Sequence, residues 1–178
     1  MTQHSDSEQI AISASEFLSF LKKAKQQTYA NEANDPPRVN GCKEYIYQDG
    51  QWHYRDYYGG VLAYGGMELV RFNDQPVWMM GYYGGIVEPI RANLQKCDAT
   101  GQEVFAFLKK ALLLCPSEMP LRGPDEVRIG RFSYKNNVQG SLVKFCGEEV
   151  ITCDSTIIYE QKYIGGVLQG KHYHVSIA

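Results

Sequence analysis

The sequence predicts an α+β fold: one strongly curved, mostly antiparallel sheet, or an open barrel, with two helices packed against it. Three observations predict it. The stretch from Trp52 to Gly85 recurs in weaker form from Phe132 to Gly166, which reads as an internal duplication of an αβββ-like unit. Each copy is preceded by a helix-start pattern at the same place. Seventeen glycines and thirteen tyrosines in 178 residues favour a turn-rich antiparallel sheet.

The two copies align residue by residue. Trp52, Tyr54, Asp56, Tyr58 and Gly60 match Phe132, Tyr134, Asn136, Val138 and Gly140 at a constant spacing of 80. One inserted residue makes the spacing 81, and Tyr64, Gly66, Glu68 and Val70 then match Phe145, Gly147, Glu149 and Ile151. Trp78, Tyr82, Gly84 and Gly85 match Tyr159, Tyr163, Gly165 and Gly166. Upstream, Ser13, Glu16, Phe20 and Leu21 match Thr100, Glu103, Phe107 and Leu108 at a spacing of 87. Repeat 1 covers about residues 13–90 and repeat 2 about 100–170. Together they make a single pseudo-symmetric domain over 12–178, behind a polar, frayed terminus at 1–11.

Each element has its own signal. Ser13-x-x-Glu16 reads as a capping box, and Phe17, Phe20, Leu21 and Ala24 form one apolar stripe on a helix. Lys22, Lys23 and Lys25 fall mostly off that stripe and read as a solvated face. Residues 30–42 read as a long connector, a lid or a mobile segment, broken by Pro36-Pro37 and Asn40-Gly41. Tyr45–Tyr47, a turn at Asp49-Gly50, and Trp52–Tyr58 form a hairpin. Strands follow at about 62–72 and 77–83, separated by the turn Asn73-Asp74-Gln75-Pro76. Gly59-Gly60 reads as a turn or bulge, Gly84-Gly85 as a strand end, and 86–90 as a further strand. Thr100-x-x-Glu103 opens a second, more apolar helix lined by Phe107, Leu108, Ala111, Leu112 and Cys115. A proline-rich loop, 115–124, leads to strands near 127–135, 141–152, 156–164 and 167–176. Their corners fall at Asn136-Asn137, Asp154-Ser155 and Gly165-Gly166.

Bulk properties exclude several classes. A net charge of −2 argues against a dedicated nucleic-acid surface. No apolar run approaches the roughly 20 residues of a membrane helix, and the polar start does not resemble a secretory signal. Five cysteines without CxxC spacing read as reduced, mostly buried thiols in a cytoplasmic protein. No phosphate loop, HExxH, GxSxG or Cys/His nucleophile pattern is present, so no cofactor or metal is implied. His172-x-His174 reads as a solvated strand edge rather than half a metal site.

Residues 15–168 resemble an uncharacterised prokaryotic family known only as a domain of unknown function. The resemblance rests on Tyr54-x-Asp56-x-Tyr58-x-Gly60, Gly66-x-Glu68, Pro76-Val77-Trp78-x-Met80-x-Tyr82-Tyr83-Gly84, Gly147-x-Glu149 and Tyr163-x-Gly165-Gly166. Some members look like C-terminal partners of helix-turn-helix regulators. This chain has no room for such a module before its first helix, and the family implies no catalytic residues.

Strand alternation puts Trp52, Tyr54, Asp56 and Tyr58 on one face, and repeat 2 keeps that set while turning the other polar, so the kept set faces the core. Glu68 and Glu149 share equivalent places among aromatic and β-branched neighbours. A carboxylate on a core face must be hydrogen-bonded or paired. Either each Glu is structural, or a pocket between the two halves holds a ligand or an acid/base there. Asp56 against Asn136 is a charge kept in one copy only, consistent with an Asx-type turn bond or with a single working site. The candidate ligand-binding set is Glu68, Glu149, Asp56, Tyr54, Trp78, Tyr82 and Tyr134. The preferred function is a small-molecule-binding or sensor-type module. The alternatives are an enzyme using Glu68 or Glu149, and an interaction module using Tyr57, Met79 and Tyr83 on the second face, with a homodimer as one form.

Overall fold

The computed structural model describes residues 8–31, 36–88 and 90–178. In chain order the elements are β1 (Glu8–Ile12), α1 (Ala14–Gln27), β2 (Arg38–Val39), β3 (Cys42–Asp49), β4 (Trp52–Gly60), β5 (Ala63–Phe72) and β6 (Gln75–Ile86). After these come α2 (Ile90–Lys96), α3 (Gly101–Leu113), β7 (Glu126–Ile129), β8 (Phe132–Ser141), β9 (Lys144–Cys153), β10 (Thr156–Val167) and β11 (Tyr173–Ile177). The fold is α+β. Nine strands form one open antiparallel sheet in the order β2-β3-β4-β5-β6-β10-β9-β8-β7. No described helix is long and apolar enough to cross a membrane.

The two halves meet where β6 pairs with β10. Tyr82 stands opposite Tyr163, Met80 opposite Gly165, and Gly84 opposite Gln161. These are equivalent positions exchanged across the pair, the register that a twofold axis through Tyr82 and Tyr163 would impose. Contacts recur as well. Phe20 of α1 stacks on Trp52 at 5.2 Å, and Phe107 of α3 stacks on Phe132 at 5.3 Å. In β6 and in β10 one extra residue, Val77 or Ile158, interrupts the ladder to the neighbouring strand. Both bulged residues are fully buried, so each bulge turns two successive side chains inward, Val77 with Trp78 and Ile158 with Tyr159.

The core lies between the sheet and α1 with α3. α1 rests on β3 and β4, α3 on β8, and α2 on β10. Phe17 sits 5.8 Å from both Trp52 and Trp78, and Trp78 stacks on Phe145 at 5.5 Å, which joins the halves through one aromatic seam.

Several expectations are corrected. There are three described helices, since residues from Ile90 form α2 rather than a strand. The N-terminal stretch contains β1, which pairs in parallel with β11. Ser13 is the N-cap of α1 but makes no side-chain cap; its hydroxyl pairs with Ser15, while the Ala14 N–H donates to the Ala178 carbonyl at 2.8 Å. Thr100 and Glu103 do form both bonds of a capping box. Within the expected connector 30–42, β2 pairs with β3, and residues 32–35 lie outside the described residues. Gly84-Gly85 and Gly165-Gly166 lie inside β6 and β10, not at their ends, and Asn136-Asn137 lies inside β8. The reason is close approach: a Cβ on Gly84 would overlap the Glu160 carbonyl, and one on Gly165 the Met79 carbonyl. The last strand begins at Tyr173, not near 167.

Candidate functional site

Glu68 and Glu149 are both on the core face, 3% and 0% exposed, and the structure gives them different surroundings. Glu149 is saturated. Arg122, from the loop after α3, donates from Nε to Oε2 at 3.0 Å and from Nη2 to Oε1 at 2.5 Å. Tyr134 donates to Oε2 at 2.7 Å and Tyr159 to Oε1 at 2.9 Å. Burial alone would lower the pKa of Arg122, but the adjacent Glu149 carboxylate raises it well above its ordinary value. The Tyr134 hydroxyl also accepts from the Gly123 N–H at 3.0 Å, tying the loop to β8. Such a two-pronged buried pair, with its remaining lone pairs occupied, is a structural device. Beyond it, the Tyr159 hydroxyl bonds Tyr64 at 2.8 Å and lies 3.2 Å from the Gln161 amide oxygen. Gln161 Nε2 is the one buried side-chain polar atom without a partner among the described residues. An amide turned end for end would donate to Tyr159 and remove that deficit.

The first half is more open. Glu68 receives Lys25 Nζ at 2.5 Å, and Lys25 also donates to the Leu121 carbonyl at 2.8 Å. Directly across the strand pair from Glu68 stands Asp56, 4% exposed. Tyr82 donates to Asp56 Oδ1 at 2.6 Å, as Tyr163 donates to Asn136 Oδ1 at 2.7 Å in the other half. Asn136 further donates its amide to the Gly123 carbonyl at 3.1 Å. Asp56 Oδ2 takes no hydrogen bond from the described residues. Burial and then the Glu68 charge push the Asp56 carboxyl up to about 7, against the pull of the Tyr82 bond, Lys25 and Arg122. Burial and the same two carboxylates raise the Tyr54 phenol far above its usual value.

Asp56 and Glu68 border a half-enclosed cavity of about 30 Å³. Its walls come from both halves: Lys25 from α1, Tyr29 from the turn after it, strand tyrosines from β4 to β6, and Leu112, Leu121 and Arg122 from α3 and the loop after it. Glycine makes room for Tyr82, since a Cβ on Gly66 would lie 2.6 Å from its hydroxyl. Of the seven candidate residues, Tyr54, Asp56, Glu68 and Tyr82 line this cavity. Glu149 and Tyr134 lie behind Arg122, and Trp78 lies in the aromatic seam, with its indole N–H donating to the Leu142 carbonyl at 3.1 Å. On the opposite face Tyr83 is 70% exposed, while Tyr57 and Met79 are half-buried. His172 and His174 are exposed, and no metal-binding group of three His, Cys, Asp or Glu residues is gathered among the described residues. All five cysteines are free, three of them buried.

A family model described as Domain of unknown function (DUF5680) matches residues 56–168. The chain belongs to this family. The matched span starts at Asp56 and takes in Glu68, Tyr82, Arg122 and Glu149; α1 with Lys25, and Tyr29 just after it, lie before the span. No curated protein and no solved structure matches the chain.

Sequence reasoning missed Lys25, Tyr29, Tyr64 and Arg122 as site residues. One signal was available for Lys25: in the sequence alignment at spacing 87 it falls on Leu112, a buried position. Arg122 lies in the connector, outside the repeated pattern, and carries no such signal.

Proposed function

We propose that this protein is a small-molecule-binding module whose site is the cavity between α1, the α3 loop and the first-half sheet. The observation that carries the reading is Asp56: a buried carboxylate with one oxygen bonded to Tyr82 and the other without a hydrogen-bond partner among the described residues, at the cavity wall. That second oxygen is open to the cavity, where a ligand polar group would meet it. The second half is the internal contrast, because Asn136 and Glu149 occupy the equivalent places with every described bond made. Screening fragments by two-dimensional NMR tests the reading. Binders should move the resonances of Asp56, Tyr58 and Tyr82. A screen whose binders all map to the exposed face around Tyr83, or that finds none, counts against it.

A second reading is acid–base chemistry at the same place. It is favoured by the Asp56 carboxyl standing near neutrality inside a cleft, the poise that general catalysis needs. On this reading Asp56 is the acid–base group, because it stands at the cavity wall whereas Glu149 is enclosed by Arg122 and two phenols.

A further inference from the structure

We propose that the cavity binds the primary ammonium group of a small amine, with Asp56 as its counter-ion and tyrosine rings as its walls. The inference rests on the binding reading above and names the class of ligand.

Charge comes first. Three buried carboxylates, Asp56, Glu68 and Glu149, face two cations, Lys25 and Arg122. Lys25 is engaged by Glu68 and Leu121, and the fork of Arg122 by Glu149. Among the described residues, Asp56 is left with a phenol and no ion-pair partner. Once Asp56 is ionised, an anionic ligand would add to that imbalance, and a neutral one would leave it standing. A cation completes it, at a site that already holds the Lys25 ammonium against the neighbouring carboxylate.

The walls agree with this. Tyr29, Tyr54, Tyr58, Tyr64 and Tyr82 line the cavity. Their rings run edge to face, with centroids 6.0 Å apart for Tyr29–Tyr58, 6.1 Å for Tyr58–Tyr64 and 6.2 Å for Tyr64–Tyr82. Tyrosine faces attract cations, and more strongly when water is excluded. The volume of about 30 Å³ suits an ammonium head, with the rest of the amine outside. In each half the glutamate already has its own cation, Lys25 on Glu68 and Arg122 on Glu149, and the second half has neutral Asn136 where the first has Asp56.

The cation competes with the proton on Asp56, so binding tightens as pH rises through about 7. The groups around Asp56 are Glu68 and Tyr64 from β5, Tyr54 and Tyr58 from its own strand, and Tyr82 from β6. Lys25 faces it from α1, Tyr29 from the turn after α1, and Cys115 and Arg122 from the segment after α3.

The test titrates the full chain with methylammonium, n-butylammonium and tetramethylammonium chloride at constant ionic strength, followed by NMR. Sodium acetate and tert-butanol serve as anionic and neutral probes. The two primary amines should saturate at the Asp56 and Tyr82 resonances, with tetramethylammonium weaker because it has no N–H donor. Affinity should be about tenfold tighter at pH 8 than at pH 6, the ratio of ionised Asp56 at the two values. Asp56→Asn, which copies Asn136, should stay folded and weaken primary-amine binding tenfold or more. Unchanged binding by Asp56→Asn overturns the proposal. Acetate or tert-butanol binding in the cavity without the amines overturns the ligand class and leaves the binding site standing. No response to any of the probes overturns both.

Discussion

Replacing Asp56 by Asn should stabilise the fold, and the gain should depend on pH in a defined way. Asp56 ionises near 3.8 in an unfolded chain and at about 7 when buried beside Glu68. A raised carboxyl pKa means that the native state holds the proton more tightly than the unfolded state. The sign is therefore opposite to that of a salt-bridged aspartate: stability is greatest below 3.8, falls as pH rises towards 7, and levels off above it. About three units at 1.36 kcal/mol each give a loss of roughly 4 kcal/mol at alkaline pH. Asn removes that loss and keeps the bond from Tyr82, as Asn136 keeps the one from Tyr163. Its amide can donate to Glu68 across the strand pair. Exchanging a charged for a neutral acceptor at Tyr82 costs about 1–2 kcal/mol. The net gain at pH 8.5 is then on the order of 2–4 kcal/mol, or a midpoint about 1–2 M higher in urea. Urea unfolding followed by tryptophan fluorescence, for both proteins from pH 4 to 8.5, measures it. The difference between the proteins should grow between pH 4 and 7 and then flatten. A difference that does not change with pH, or a less stable variant at pH 8.5, would refute the reasoning.

Three further predictions concern the scaffold. Glu149→Gln should cost about 3–5 kcal/mol by leaving Arg122 buried without its carboxylate; the double change with Arg122→Met should recover part of this, read by denaturation. Thr100→Ala should cost about 1 kcal/mol and Ser13→Ala almost nothing, because only the former breaks a side-chain cap. Gly84→Ala and Gly165→Ala should each destabilise the β6–β10 seam far more than Gly81→Ala. A Cβ at either of the first two positions meets backbone, whereas at Gly81 it meets nothing within 4 Å. Comparable melting temperatures for all three would contradict the close-approach argument.

The helices, the hairpins and the core face were legible because local signals and packing agree. The apolar stripe of Phe17, Phe20, Leu21 and Ala24 is the buried face of α1, and the alternation that placed Tyr54, Asp56 and Glu68 inward holds. What local signals could not convey was tertiary. The Gly-Gly pairs read as strand ends, yet they exist because a neighbouring backbone passes too close for a side chain. The bulged residues Val77 and Ile158 carry no glycine to mark them. In α2, seven residues long, the apolar period has too few turns to show. The site was half-visible. The repeat singled out both acids and the Asp56/Asn136 asymmetry, but the partners that separate their roles come from outside the repeated strands. Lys25 lies on the flank of α1, and Arg122 in the connector after α3, outside the aligned positions.

The central claim is that Asp56 is a buried acid poised near neutrality at the cavity wall. The most direct test is the ¹³C NMR titration of its side-chain carboxyl in the full chain, assigned by comparison with Asp56→Asn. The account predicts a midpoint near 7, moving down when methylammonium is added. A midpoint at the ordinary aspartate value near 4, with or without the amine, would contradict it.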